Sequence, residues 1–167
     1  GFAKVIGFPN VGKSTLINKL VGEKINIISP RPQTTRNSIK AICSEDRGQV
    51  IFIDTPGIHD PRNELDKYML DEAFKSLDGI DIIIFILDGS TYWGKNDQSI
   101  YNQIKNSNKE IIYVMNKIDK LSNQELIKKQ KDYSQKVGKE VIPISALNNK
   151  NLNSVLDRIF SHLPEGP

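Results

Sequence analysis

The sequence predicts an α/β fold in three layers: a six-stranded, mostly parallel sheet with one antiparallel edge strand and helices on both faces. Three observations predict it. The apolar runs Ile82-Ile83-Ile84-Phe85-Ile86-Leu87 and Ile111-Ile112-Tyr113-Val114-Met115 are continuous rather than alternating, as strands buried on both faces require. Amphipathic stretches separate such runs, and strand–helix alternation builds a parallel sheet through crossover helices. Two other runs are linked only by Asp46-Arg47-Gly48-Gln49, long enough for a hairpin and too short for a crossover.

In chain order, the first strand is expected near 3–7, where Ala3-Lys4-Val5-Ile6 leads into a glycine. A helix near 13–22 follows, with Leu16, Ile17, Leu20 and Val21 on one face. Strands near 39–45 and 48–54 make the hairpin, the former being the antiparallel edge. The remaining strands are expected near 81–87, 110–115 and 140–143, and helices near 63–78, 96–107, 122–137 and 150–162. Leu152, Val155, Leu156 and Ile159 set the inward face of the last helix.

Composition bounds the rest. A chain of 167 residues, 38% apolar and 26% charged, is about one domain with a sizeable core, and disorder is not expected. Its apolar runs are too short to cross a bilayer and lack secretory flanks, so a cytoplasmic location is expected. The lone Cys43 permits no internal disulfide, forms no metal cluster with the two separated histidines, and reads as an inert strand residue. A formal charge of +3 is too small to imply a nucleic-acid partner. Seven lysines against three acidic residues between Lys117 and Lys139 read first as a solvated helix face. Trp93 reads as loop packing before a stacking platform, while Arg31 and Arg36 stay open between phosphate, partner and solvent contacts.

The segment Gly7-Phe8-Pro9-Asn10-Val11-Gly12-Lys13-Ser14-Thr15 fits the phosphate-loop pattern in the context it demands, after a strand and opening a helix. Gly7 and Gly12 let backbone amides approach phosphates, and the helix N-terminus adds positive potential there. Lys13 is expected to bridge the β- and γ-phosphates, and the Ser14 hydroxyl to ligate Mg²⁺. The architecture is thus that of a P-loop NTPase. After the run Val50-Ile51-Phe52-Ile53 comes Asp54-Thr55-Pro56-Gly57, in which Asp54 holds the metal through water and the Gly57 amide meets the γ-phosphate. Within the Thr34-Thr35 pair, Thr35 is expected to complete the metal shell when triphosphate is bound.

Asn116-Lys117-Ile118-Asp119 then names the base. Asp119 accepts two donors from the guanine edge that adenine cannot offer, Asn116 braces the pocket, and the Lys117 stem lies on the purine face. Ser145-Ala146-Leu147, after a strand end, offers a backbone amide to the guanine oxygen.

Five elements in this order resemble the five boxes of the P-loop GTPases. Pro9-Asn10, Gln33-Thr34-Thr35-Arg36 and Asp54-Thr55-Pro56-Gly57-Ile58-His59 followed by Pro61, Leu65 and Met69 resemble the bacterial Era family more closely than its Der and TrmE relatives. The resemblance spans essentially the whole chain. It implies a GTP hydrolase that assists small-subunit ribosome assembly, with a C-terminal KH domain that binds 16S rRNA in the full-length protein. It also allows peripheral membrane association of that protein. This chain runs from Gly1 to Pro167 without a KH-type GXXG clamp, so it reads as an excised GTPase domain, expected to be monomeric.

Where many GTPases place a water-orienting Gln after the D-x-x-G glycine, this chain has Ile58, so slow intrinsic hydrolysis is expected. By resemblance to the TrmE group, Asn10 would help hold K⁺ where an arginine finger stands elsewhere, unless it merely stiffens the loop. Thr34 or a water chain is another substitute for the missing Gln. The catalytic set expected is therefore Lys13, Thr35, Asn10 and Gly57. Alternatives are a guanine-nucleotide sensor in which hydrolysis is incidental and a Der- or TrmE-type domain. A nucleotide kinase is disfavoured by the Asn116–Asp119 tetrad and the lack of a recognisable lid.

Overall fold

Six consecutive apolar residues leave the strand Ile82–Asp88 no polar face to offer water, and it lies buried on both sides near the middle of the sheet. The computed structural model describes residues 1–7, 12–21, 26–28, 39–45, 48–54 and 79–162. Its strands are β1 (Phe2–Gly7), β2 (Asn26–Ile28), β3 (Ile39–Glu45), β4 (Gly48–Asp54), β5 (Ile82–Asp88), β6 (Glu110–Asn116) and β7 (Val141–Pro143). Its helices are α1 (Lys13–Val21), α2 (Lys95–Ile104), α3 (Asn123–Val137) and α4 (Leu152–His162), with a 3-10 turn over Ile118–Lys120.

The strand order is β2-β3-β4-β1-β5-β6-β7. From β4 to β7 the neighbours run parallel, while β3 is antiparallel to both β4 and β2. All six expected strands are present. The difference lies at the edge, where β2 pairs with β3 from Asn26↔Ile42 to Ile28↔Lys40, giving a seventh strand and covering the strand expected to be outermost. Three residues are fewer than the run that signals a strand, so this one exists through its ladder rather than its own pattern. The helix expected near 63–78 lies outside the described residues.

Alternation along β5 divides the core in two. Ile82, Ile84 and Ile86 pack with Leu16 and Leu20 of α1 and with Val155 and Ile159 of α4. Ile83, Phe85 and Leu87 face the other way, onto Ile100 and Ile104 of α2 and Tyr133 and Val137 of α3. The layers are therefore helices, sheet, helices. Cys43 is buried with the first cluster, its thiol donating to the Leu20 carbonyl at 3.5 Å. Trp93 belongs to the second, ringed by Phe85, Tyr101 and Tyr133, so packing is its role. Among the described residues, no helix is long and apolar enough to cross a membrane.

This topology places the site. The segment after β1 builds β2, β3 and β4 on one side of it, and the chain then crosses to β5, β6 and β7 on the other. In open α/β sheets ligands sit beyond the carboxyl ends of strands at such a switch point, which here is the end of β1. α3 begins close by and is fixed by a capping box: the Ser122 hydroxyl accepts from the Glu125 amide, and the Glu125 carboxylate accepts from the Ser122 amide at 3.0 Å.

Truncating Ile84, fully buried at the centre, to alanine is expected to cost about 2–5 kcal/mol. The same change at Ile127, 67% exposed on α3, should stay within about 0.5 kcal/mol. Urea unfolding followed by circular dichroism measures both.

Candidate nucleotide-binding site

Three chain segments converge at the carboxyl edge of the sheet: the loop entering α1, the end of β6, and the turn after β7. Gly7 closes β1 and is buried, Gly12 precedes α1, Lys13 and Ser14 open that helix, and Thr15 is exposed on it. Asp54 is the last residue of β4, the parallel neighbour of β1. Ser14 is thus the second residue of the helix that follows β1, and Asp54 ends the strand beside β1. Phe8, Pro9, Asn10, Val11, Thr34, Thr35, Thr55, Pro56, Gly57 and Ile58 lie outside the described residues, as do Arg31 and Arg36.

Gly12 has φ +101, a conformation side chains rarely adopt, and a Cβ built on it would stand 2.3 Å from Asn116 Nδ2. Gly12 and Asn116, one from each of the two motifs, are therefore in direct contact. Asn116, 4% exposed, also accepts the Ala146 amide on Oδ1 at 3.0 Å. That amide, one of those expected to face a guanine oxygen, is here spent on positioning the asparagine. The segments are further joined where the Ile118 amide donates to the Ile144 carbonyl and the Ile144 amide to the Met115 carbonyl.

Ser145 is fully buried, and its hydroxyl donates to Asp119 Oδ1 at 2.8 Å while accepting the Asn148 amide at 3.2 Å. A bridge between Ser145 and Lys150 closes the turn, on which Leu147 is exposed. With one carboxylate oxygen held by Ser145, the exposed Asp119 side chain is oriented by the protein itself. Every predicted residue of the base half falls in this one cluster: Asn116, Lys117, Asp119, Ser145, Ala146 and Leu147.

Sequence reasoning passed over Asp88. Strand register sets it opposite Asn116, and its Oδ2 forms an ion pair with the Lys117 ammonium at 3.0 Å. Its Oδ1 accepts both the Ser90 amide at 2.8 Å and the Ser90 hydroxyl at 2.5 Å. The available signal was an Asp-Gly pair at the end of a wholly apolar strand, the position at which this edge collects its polar groups. Burial acts to raise the Asp88 carboxyl, but the Ser90 hydrogen bonds and the Lys117 ammonium outweigh it and hold it below the usual carboxylate value.

Residues 3–117 match the model of the family described as 50S ribosome-binding GTPase. The chain belongs to that GTPase family. Over its whole length it is 54% identical to the GTPase Era of Halothermothrix orenii, of which it covers 57%. Among solved structures it resembles Aquifex aeolicus Era bound to GDP and AlF4⁻, at 40% identity and a TM-score of 0.81. It also resembles an Era in complex with MgGDPNP and nucleotides 1506–1542 of 16S ribosomal RNA, at 40% identity and a TM-score of 0.82. Both comparisons cover 100% of this chain and 58% of the other. The Era resemblance read from the motifs therefore holds for this GTPase-family chain, which spans a little over half the length of these relatives.

The depressed Asp88 carboxyl fixes the sign of a pH effect. Its stabilisation is fully present above the unfolded-state value of about 3.8 and is lost as pH falls through the lower folded-state value. Asp88→Asn should therefore be less stable than the parent chain at pH 7, and the gap should narrow as pH falls through the folded-state value, as read by thermal unfolding over a series of acidic pH values.

Proposed function

We propose that this chain is the GTP-binding and GTP-hydrolysing switch domain of a longer protein that acts, like Era, in small ribosomal subunit assembly. The observation that carries the reading is the contact of Gly12 with Asn116, which joins a phosphate loop to a guanine-reading tetrad in one crevice. A ligand spanning that crevice must carry a polyphosphate at one end and a purine at the other. Asp119, preset by Ser145, then selects guanine, because adenine cannot supply the two donors its carboxylate accepts.

Lys13 would bridge β- and γ-phosphates, with loop amides from Gly7 to Thr15 around them. Ser14, Thr35 and Asp54 would hold Mg²⁺, which supplies charge neutralisation on the phosphates when bound. The MgGDPNP in the structure of the Era–RNA complex supports the choice of metal. The Gly57 amide would donate to the γ-phosphate, and Thr55, Pro56 and Ile58 would follow that contact as the switch changes state. Ile58 offers no polar atom to orient water, so intrinsic hydrolysis is slow. Asn10 would hold a K⁺ ion against the developing charge. The RNA partner is proposed from the 16S fragment seen with Era, with the remainder of the longer protein as its carrier and the cytoplasm as its place.

Equilibrium binding of GDP, xanthosine diphosphate and ADP, with and without magnesium, tests the site. The parent chain should prefer GDP strongly, and Asp119→Asn should lose at least about a hundredfold in GDP affinity while gaining the xanthosine nucleotide. Unchanged GDP preference in that variant, or equal uptake of adenine and guanine nucleotides by the parent, would overturn the reading.

Turnover in potassium and sodium buffers of equal ionic strength tests Asn10. Faster phosphate release in potassium, abolished by Asn10→Ala, is expected, and equal rates in the two salts would remove the monovalent ion from the mechanism.

A further inference from the structure

The base pocket contains a residue that is not itself an expected nucleotide contact yet holds one that is. Lys117 has φ +70, in the left-handed region, between the buried Asn116 and the 3-10 turn that carries Asp119. A lysine stem in solution samples many rotamers. Here the ammonium is placed 3.0 Å from Asp88 Oδ2, with the two side chains 25% and 15% exposed. The stem is thereby drawn along a defined path across the end of β5.

Asp88 is itself held from several sides. Ser90 occupies its other oxygen through both amide and hydroxyl. The Gly89 amide donates to the Asn116 carbonyl at 2.8 Å, and a Cβ on Gly89 would come within 2.7 Å of that same oxygen. From behind, the Tyr133 hydroxyl of α3 is shared between the carbonyls of Asp88 at 2.9 Å and Thr91 at 2.7 Å. Lys129 of α3 also donates to the Thr91 carbonyl. The turn 88–91 thus grips the Asn116–Lys117 segment by main chain at Gly89 and by side chain at Asp88, and α3 fixes the turn.

We propose that Asp88 is a positioning residue for guanine nucleotides, holding the Lys117 ammonium so that its aliphatic stem is set as the floor of the purine site before the nucleotide arrives. This rests on the reading of the site as a guanine-nucleotide pocket. The ordering entropy of Lys117 is then paid during folding, and binding keeps what it would otherwise spend. The effect belongs to nucleotide retention rather than to the chemistry of the phosphates.

Release of a fluorescent GDP analogue from the parent chain, Asp88→Asn, Lys117→Met and the double variant tests it, with thermal unfolding of each as a control. Asp88→Asn should release GDP on the order of five- to tenfold faster, and in the Lys117→Met background it should add little. Some loss of melting temperature is expected of Asp88→Asn on either reading, but a purely structural role would accelerate release by the same factor in both backgrounds. Should Asp88→Asn fail to fold, Ser90→Ala, which loosens the carboxylate without removing its charge, completes the same cycle with a smaller effect of the same sign. Unchanged release in the single variant, or equal acceleration with and without Lys117, overturns the proposal. A parent chain that does not retain GDP at all overturns the pocket reading instead.

Discussion

The buried side chain of Asn116 is the interaction on which the rest of the site depends. It lies against Gly12 of the phosphate loop and accepts the amide of Ala146, so one amide group fixes the relative positions of segments more than a hundred residues apart in sequence. A polar group so deeply buried is costly unless its hydrogen bonds are met, which makes its orientation over-determined rather than adjustable. Gly12 is consequently fixed twice, once by its positive φ and once by the space the asparagine occupies.

Such an arrangement needs strand ends in strict register. Gly7 pairs with Ile86, and Asp88 with Asn116, so the glycine that ends β1 and the polar residues that end β5 and β6 emerge along one edge. A slip of one residue would turn every side chain of a strand to the opposite face and carry Asp88 out of register with Asn116.

Much of this was legible in the residues. Continuous apolar runs marked the central strands within a residue or two, and the tetrad motif named residues that the fold brings together beyond β6 and β7, because those patterns are local. What was not legible is long-range. β2 has no periodicity of its own and exists by pairing with β3. Asp88 meets Lys117 across 29 residues and Tyr133 across 45, and neither contact leaves a spacing in the sequence. The use of the Ala146 amide by Asn116 was hidden for the same reason, since it depends on which of two partners lies nearer in the fold.

The base half of the site is built as an extension of the helical layer. The capping box at Ser122 starts α3 immediately after the 3-10 turn, and α3 carries Tyr133 into an aromatic group with Trp93, while Tyr101 and Tyr113 pack beside it. Burial pushes the Tyr113 phenol up to about 12 and raises that of Tyr133 as well, so both hydroxyls stay protonated and Tyr133 remains a donor to the turn at Asp88 across the physiological range. The aromatic layer, the turn, the Asp88–Lys117 pair and the tetrad form one packed series. Each member is packed or hydrogen-bonded against the one beneath it, the arrangement that hydrogen-bond discrimination needs, because it fails when the discriminating groups can relax toward the wrong ligand.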